Sequence, residues 1–193
     1  MYGKVIKPIL DKVMALILIV AFSIPMVLIF ISVKMSSKGP AVFKQKRFGK
    51  DTTQFVLYKF RTMTYEAPIL ANREFDNLNT YLTPLGKILR ESSLDELPQL
   101  FNILLGHMSF IGPRPLAETD KTVIDLRQKS GADRVLPGIT GLAQVNGRNQ
   151  ISDENKAELD SQYADSVSFV LDMQIIILTL TKVFRKEGIY KER

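Results

Sequence analysis

The residues that could do chemistry in this chain are few and of one kind. Asp95-Glu96 sets two carboxylates side by side near a helix start. Arg47, Lys59, Arg61, Arg90, Arg114 and Arg148 are cations placed beside Gly, Pro or Thr punctuation rather than on plain amphipathic surfaces. A carboxylate that can hold Mg2+ or attack phosphorus, with several cations around it, is what phosphoryl transfer needs. Taken alone, the pair also reads as helix-terminal charge in a capping box, Ser93-x-x-Glu96, and each cation as solvated surface. The stretch Pro137 to Asn149 (PGITGLAQVNGRN) is rich in Gly and can present backbone amides to an anion. Other chemistries drop out. The absence of Cys removes disulfides, thiolate nucleophiles and Cys-based metal sites. The single His, His107, rules out His clusters and H-E-x-x-H hydrolases, and it reads as a loop residue rather than a metal ligand.

These residues need elements to hold them. Ala41-Val42-Phe43 and Gln54 to Phe60, joined through a turn at Phe48-Gly49-Lys50-Asp51, predict a β-hairpin that carries Lys59. Thr83-Pro84 supplies an N-cap and a Pro at the first helical position, so a helix runs from Leu85 to about Arg90. Leu94, Leu97, Leu100, Phe101 and Leu104 keep helical spacing after Ser93, with Pro98 near the start and Gly106 at the end. Gly112-Pro113-Arg114-Pro115 is a stiff loop. Thr119 to Gln128 and Ser152 to Tyr163 read as helices. Phe169 to Arg185 is apolar but interrupted by Asp172, Gln174 and Lys182, which suits an amphipathic helix on the core or on a membrane. Tyr65 to Thr80 reads as a polar loop with a helical turn.

The 193 residues are one domain's worth of chain, with 46% hydrophobic residues and a net charge of +6 from 26 Lys and Arg against 20 Asp and Glu. The average hides one uncharged run of 21 residues, Val13 to Val33, bounded by Lys12 and Lys34. As a single helix it would reach roughly 32 Å, enough for a bilayer core. Two features favour a re-entrant hairpin instead. Ser23-Ile24-Pro25 sits at the middle, where Pro25 breaks the helix and Ser23 can satisfy a freed carbonyl. Both flanks are also basic, with Lys4, Lys7 and Lys12 before the run and Lys34, Lys38, Lys44, Lys46, Arg47 and Lys50 after it. A spanning helix keeps its positive charge on one side. The early lysines are placed to meet anionic headgroups.

Several segments together carry a family resemblance: Lys7-x-x-x-Asp11, VFKQKRFG (42–49), YKFRTM (58–63), LRESSLDELPQLFNILLGHMSFIGPRP (89–115), PGITGLAQVNGR (137–148), Asp160-x-x-Tyr163 and Phe169-x-x-Asp172. In these motifs and in their order, over nearly its whole length, the chain resembles the catalytic core of monotopic bacterial phosphoglycosyl transferases, the undecaprenyl-phosphate sugar-phosphate transferases. The resemblance implies an α+β fold: a re-entrant helix-break-helix over residues 1–38 and a mainly helical cytoplasmic catalytic domain over 39–193 with a short β-hairpin. It implies location on the cytoplasmic face of the bacterial inner membrane, among its phospholipids. It implies transfer of a sugar 1-phosphate from a UDP-sugar to undecaprenyl phosphate, giving undecaprenyl-diphosphate-sugar and UMP. The family's nucleophile falls on Asp95, which would also hold Mg2+, and its partner in the dyad falls on Glu96. Lys59, Arg90, Arg114 and Arg148 fall on substrate phosphate-binding positions. Pro137, Gly138, Gly141, Gln144 and Gly147 fall in a nucleotide-sugar-binding loop, and Ser23 and Pro25 on the membrane break.

Two departures stand out. The family commonly has Ser-Pro adjacent where this chain has Ser23-Ile24-Pro25, and Gly-Asp-Met-Ser where it has Gly106-His107-Met108-Ser109. Two rivals stand beside the enzyme reading: a catalytically weak or inactive membrane-attached scaffold, and a non-catalytic basic module for lipid or nucleic acid. No recognition helix or aromatic stacking platform supports nucleic acid as a partner. Unassigned faces near residues 120–130 and 185–193 leave room for a homodimer.

Overall fold

The computed structural model describes residues 1–68, 78–147 and 151–184. A π-helical turn, Tyr2–Ile6, runs into α1 (Lys7–Ala21). The proline ring clashes with the carbonyl four residues earlier. For Pro25 that residue is Ala21, and α1 ends there. Phe22 leaves helical geometry (φ −97°, ψ 10°), α2 (Ser23–Ser36) restarts with Pro25 in its first turn, and the axis bends by 65°. Ser23 Oγ donates to the Val20 carbonyl in the last turn of α1 at 2.8 Å. The break therefore lies at Phe22, just ahead of the Ser23-Ile24-Pro25 triplet. No single helix among the described residues is long and apolar enough to cross a membrane. The bent pair is, by length and composition.

The β-hairpin forms as the alternation predicts. β1 (Val42–Phe48) pairs antiparallel with β2 (Gln54–Phe60), Phe43 opposite Lys59 and Arg47 opposite Phe55. Both limbs of the bent pair pack on the rest of the molecule. Ala15, Leu18 and Ile19 of α1 join Leu57, Leu100 and Ile103, while Met26, Ile29 and Val33 of α2 join Phe60 and Leu89. Arg61 closes the second contact. Its buried guanidinium donates to the carbonyls of Pro40, Val33 and Ser37, satisfying the C-terminal end of α2. This corrects the reading of Arg61 as a phosphate-site cation: it is a helix cap.

α3 (Pro84–Glu91) starts on the expected cap, with Thr83 Oγ1 accepting from Gly86 N at 2.9 Å. The next predicted helix is divided. Leu94–Glu96 form a 3-10 turn, and α4 (Gln99–Leu104) begins only after Pro98, which has no N–H to continue the ladder. β3 (Ser109–Ile111) pairs in parallel with β4 (Gly138–Thr140), a second small sheet that the sequence reading does not contain. α5 (Lys121–Ser130) packs on α7 (Asp153–Asp165), and α6 (Leu142–Asn146) lies between β4 and α7. The stretch 120–130, read as an unassigned face, is thus partly used: Val123, Ile124 and Arg127 are buried. Residues 185–193 lie outside the described residues.

α8 (Phe169–Phe184) closes the fold. Its Asp172 is fully buried and gathers a polar cluster. Lys7 Nζ lies 2.8 Å from Asp172 Oδ2, Tyr2 OH donates to the same oxygen at 2.7 Å, and Tyr163 OH donates to Oδ1 at 2.8 Å while lying 3.0 Å from the Ile111 carbonyl. Lys7 therefore does not meet headgroups, because it is committed to Asp172; Lys4 and Lys12 remain exposed. This cluster accounts for three of the motifs at once. It ties the start of α1 to α7, α8 and the strand that leads into the Arg114 loop.

Candidate active site

Ser93 adopts the left-handed conformation (φ 57°) between α3 and the 3-10 turn. A non-glycine residue there costs on the order of 1 kcal/mol. The conformation redirects the chain so that Asp95 and Glu96 start a new turn. It also means that the predicted capping box does not form: Ser93 makes no cap bond, and the Glu96 carboxylate is used elsewhere. With three residues per turn, neighbouring side chains on a 3-10 turn diverge by about 120°. Asp95 points into the protein and is 8% exposed. Glu96 reaches Lys59, whose Nζ donates to Oε1 at 2.6 Å.

The two carboxylates consequently have opposite electrostatics. Burial pushes Asp95 up to about 6, Glu96 adds to the rise, and Lys59 and Arg90 only partly offset it. Burial would raise Glu96 as well, but the Lys59 and Arg114 charges, with hydrogen bonds from Lys59 and Gln99, outweigh it and hold Glu96 below the ordinary carboxylate range. Two adjacent carboxyl groups whose environments drive their pKa values apart are suited to different roles. Glu96 stays ionised and clamped. Asp95 is poorly solvated, makes no direct ion pair among the described residues, and ionises near neutral pH.

The cations come from four directions. Lys59 is held by the hairpin, whose β2 edge is fixed by Asn102: Oδ1 accepts from Tyr58 N at 3.1 Å and Nδ2 donates to Val56 O at 2.7 Å. Arg90, in the last turn of α3, donates from Nε to Thr62 Oγ1 at 3.0 Å and contacts Met63 Sδ at 3.4 Å, while its charge acts on Asp95. Arg114 is exposed between buried Pro113 and Pro115, and its charge acts on Glu96. Its backbone is fixed from behind. Arg127 Nη1 donates to the Arg114 carbonyl at 2.9 Å, and the same guanidinium pairs with buried Asp160 (Nε–Oδ2 2.8 Å). Arg47 is the fourth, half-buried on β1.

Among the described residues no group of three or more His, Asp or Glu is arranged to hold a metal. Mg2+ commonly takes one or two protein carboxylates and completes its shell with water and substrate phosphate. With Glu96 committed to Lys59, Asp95 is the carboxylate left for that purpose, so the residues fit an ion held jointly by Asp95 and a bound diphosphate.

The chain matches the family described as bacterial sugar transferase over residues 2–186. It belongs to that family. Among similar proteins, an uncharacterized sugar transferase, EpsL, of Bacillus subtilis (strain 168) is 42% identical over 96% of this chain and 90% of the relative. A UDP-glucose:undecaprenyl-phosphate glucose-1-phosphate transferase of Xanthomonas campestris pv. campestris is 38% identical over 98% of this chain and 41% of the relative. The exopolysaccharide production protein ExoY of Rhizobium meliloti (strain 1021) is 33% identical over 97% and 89% respectively. The chain spans about two fifths of the relatives named for glucose-1-phosphate transfer to undecaprenyl phosphate.

In this sugar transferase, the charges of Lys59 and Arg90 act on Asp95 and those of Lys59 and Arg114 on Glu96, three of the four cations that the resemblance puts at substrate phosphates. Arg148 lies outside the described residues. The predicted nucleotide-sugar loop is not an open loop. Gly138 is in β4, Gly141 precedes α6, and a methyl group on either would lie 2.2 Å or 2.1 Å from the Gly112 backbone. Both glycines therefore allow the backbone to press against the loop that carries Arg114. Pro137 accepts from Ser109 N at 2.8 Å, and Gly147 packs on Ile151. Both amide atoms of Gln144 are buried without a partner. Ser23 and Pro25 belong to the helix bend. His107 is exposed, with its ring centroid 5.9 Å from that of Phe55. Sequence reasoning missed Asn102, Gln99 and Arg127. The available signal was a fully buried type of position, inside an apolar helix pattern, occupied by a polar residue.

Proposed function

We propose that this transferase moves a sugar 1-phosphate from a UDP-sugar to undecaprenyl phosphate, producing undecaprenyl-diphosphate-sugar and UMP as the membrane step that starts a lipid-linked glycan. The observation that carries the reading is the divergence of the adjacent carboxylates: Asp95 buried and ionising at about 6, Glu96 ionised and held by Lys59 at 2.6 Å. A carboxylate oxygen of Asp95 attacks the phosphorus that bears the sugar. The bond from that phosphorus to the bridging oxygen breaks, and UMP leaves with the electron pair. An oxygen of the acceptor phosphate then attacks the Asp95-bound phosphosugar, the Asp95–phosphorus bond breaks, and the carboxylate is restored. Lys59 and Glu96 form a fixed charge pair beside the nucleophile. Arg90 tempers the charge on Asp95, and Arg114 faces the phosphates from its stiff loop. Mg2+, when held by Asp95 and the donor diphosphate, supplies charge neutralisation on the phosphate oxygens.

The acceptor places this chemistry at a membrane surface. We read residues 1–38 as a re-entrant segment with both ends on the cytoplasmic face of the bacterial inner membrane, and residues 39–193 as the catalytic domain. The packing supports it, since α1 and α2 both bury one side against the same domain. Their outer sides are apolar and exposed, as are Phe101 on α4, Leu105 just after it, and Ile177, Leu180 and Val183 on α8. Together these form a surface suited to phospholipid.

The test is UMP release by detergent-solubilised protein given undecaprenyl phosphate, Mg2+ and a panel of UDP-sugars that begins with UDP-glucose. Multiple turnovers with one donor are expected. Folded protein that releases no UMP with any donor would overturn the reading.

A further inference from the structure

Arg47 is the cation of the site without an assigned task. The antiparallel register pairs Phe43 with Lys59, Gln45 with Leu57 and Arg47 with Phe55. Paired residues in such a ladder share a face. Gln45 and Arg47 therefore lie on the face of the hairpin that sends Lys59 to Glu96 and Leu57 into the core beneath α4. The guanidinium is only partly satisfied. Nη2 donates to Gln45 Oε1 at 2.6 Å, while Nε is buried without a partner. It forms no ion pair with a carboxylate among the described residues, and Asp120 attracts it only at longer range.

A second guanidinium acts on its charge. Arg114 acts electrostatically on Glu96 and also on Arg47, so its charge lies within reach of both the dyad and β1. Burial first, and then Arg114, pull Arg47 down to about 10. The fold nevertheless holds the two cations near one another. Phe48 N donates to Leu116 O at 2.8 Å, which fastens the end of β1 to the segment after Arg114, and Arg127 fixes the Arg114 carbonyl. Two guanidiniums whose charges repel, one with an N–H that has no partner, suit an anion that presents several oxygens.

We propose that Arg47 and Arg114 together bind the nucleoside monophosphate end of the donor, the phosphate that leaves when Asp95 attacks. The proposal rests on the transferase reading above and extends it to a residue outside the dyad and its immediate cations. Charge grows on the bridging oxygen as the donor bond breaks and stays on the departing UMP. A paired guanidinium site at that phosphate meets this charge, while Lys59 remains with Glu96.

The test reads binding apart from turnover. UMP and inorganic phosphate are titrated by calorimetry into the full chain in detergent, as wild type, Arg47→Gln and Arg47→Lys, with thermal unfolding of each. Wild type should bind UMP, and Arg47→Gln should weaken it about tenfold or more, the loss of a charge-assisted contact. Arg47→Lys, which keeps the charge but not the fork, should fall between them. The unfolding temperature of Arg47→Gln should hold or rise, because a repulsion is relieved. In turnover, Arg47→Gln should raise KM for the UDP-sugar and leave KM for undecaprenyl phosphate unchanged. Equal UMP affinity in wild type and both variants would overturn the proposal, as would a wild type that binds no UMP. So would lost affinity in both variants that merely follows a lower unfolding temperature. Arg47-dependent UMP binding without any sugar transfer would leave the site standing and remove the transferase reading.

Discussion

Burial of a carboxylate without a salt bridge works against folding, and Asp95 is such a group. Its folded pKa, about 6, lies above the ordinary 3.8, so the stability it allows is fully present below pH 3.8 and is lost as pH rises through about 6. The loss at neutral pH amounts to as much as about 3 kcal/mol, from 1.36 kcal/mol per pKa unit. Asp95→Asn removes the titration. It should abolish UMP release and the phosphosugar adduct seen by intact mass, while raising the unfolding temperature at pH 7.5 with little change near pH 4. A variant that loses activity and also unfolds more easily at pH 7.5 would contradict this account. The same group sets the acid limb of catalysis. The nucleophile must be ionised, so kcat/KM should rise with pH through about 6 in the wild type. The Lys59 charge lowers Asp95. Lys59→Met should therefore move this limb to higher pH as well as reduce kcat, because Glu96 loses the partner at 2.6 Å. A reduced kcat with an unmoved limb would show that Lys59 acts without influencing the nucleophile.

Elements put these residues in place, and Asn102 is the clearest case. It is fully buried, and its amide serves both a donor and an acceptor on the β2 backbone, joining α4 to the strand that carries Lys59. Asn102→Leu keeps the branched outline in a somewhat larger side chain and leaves Tyr58 N–H and Val56 C=O without partners. The expected cost is about 2–4 kcal/mol by denaturant unfolding, with a fall in kcat larger than any change in KM. Asn102→Asp, which keeps the acceptor, should fall between; if Asn102→Leu is as stable and active as wild type, the hairpin is positioned by packing alone. The hairpin itself was legible, since β-prone runs flank a turn, and so was the cap of α3, since Thr83-Pro84 has a single good use. The dyad was legible because adjacent carboxylates before an apolar helix pattern are conspicuous. What was hidden is non-local. Ser93-x-x-Glu96 has the form of a capping box, but Lys59 competes for Glu96 and a left-handed Ser93 turns the chain. Arg61 looks like a site cation until the end of α2 is packed beside it. Three-residue strands such as β3 and β4 carry too little pattern to announce a pairing between distant segments. The glycines of residues 137–147 announce close backbone approach without saying to what.

At the scale of the molecule, the decisive feature is that one domain holds both ends of the bent helix pair. The start of α1 is tied by Lys7 to buried Asp172, and the end of α2 by Arg61 to the carbonyls of Val33 and Ser37. A helix that crossed the bilayer would have to give up one of these attachments, stranding either the buried Asp172 carboxylate or the buried Arg61 guanidinium, each costing about 3 kcal/mol or more. With the bend at Phe22 both attachments are kept, and the outward sides of both limbs are apolar and exposed. Lys4 and Lys38 flank the pair and are both exposed, and the chain has no Cys of its own. Single Lys4→Cys and Lys38→Cys variants, treated in sealed inner-membrane vesicles with a thiol reagent that does not permeate, should be labelled from the same, cytoplasmic side. Labelling from opposite sides would mean a straightened span, and either the Lys7–Asp172 pair or the three carbonyl partners of Arg61 would then have to be lost. Arg61→Met separates the two cases. In a re-entrant molecule it should lower stability by removing the cap of α2 while both Cys positions stay on one side, because the packing of Met26 and Val33 on Phe60 and Leu89 still holds the limb down.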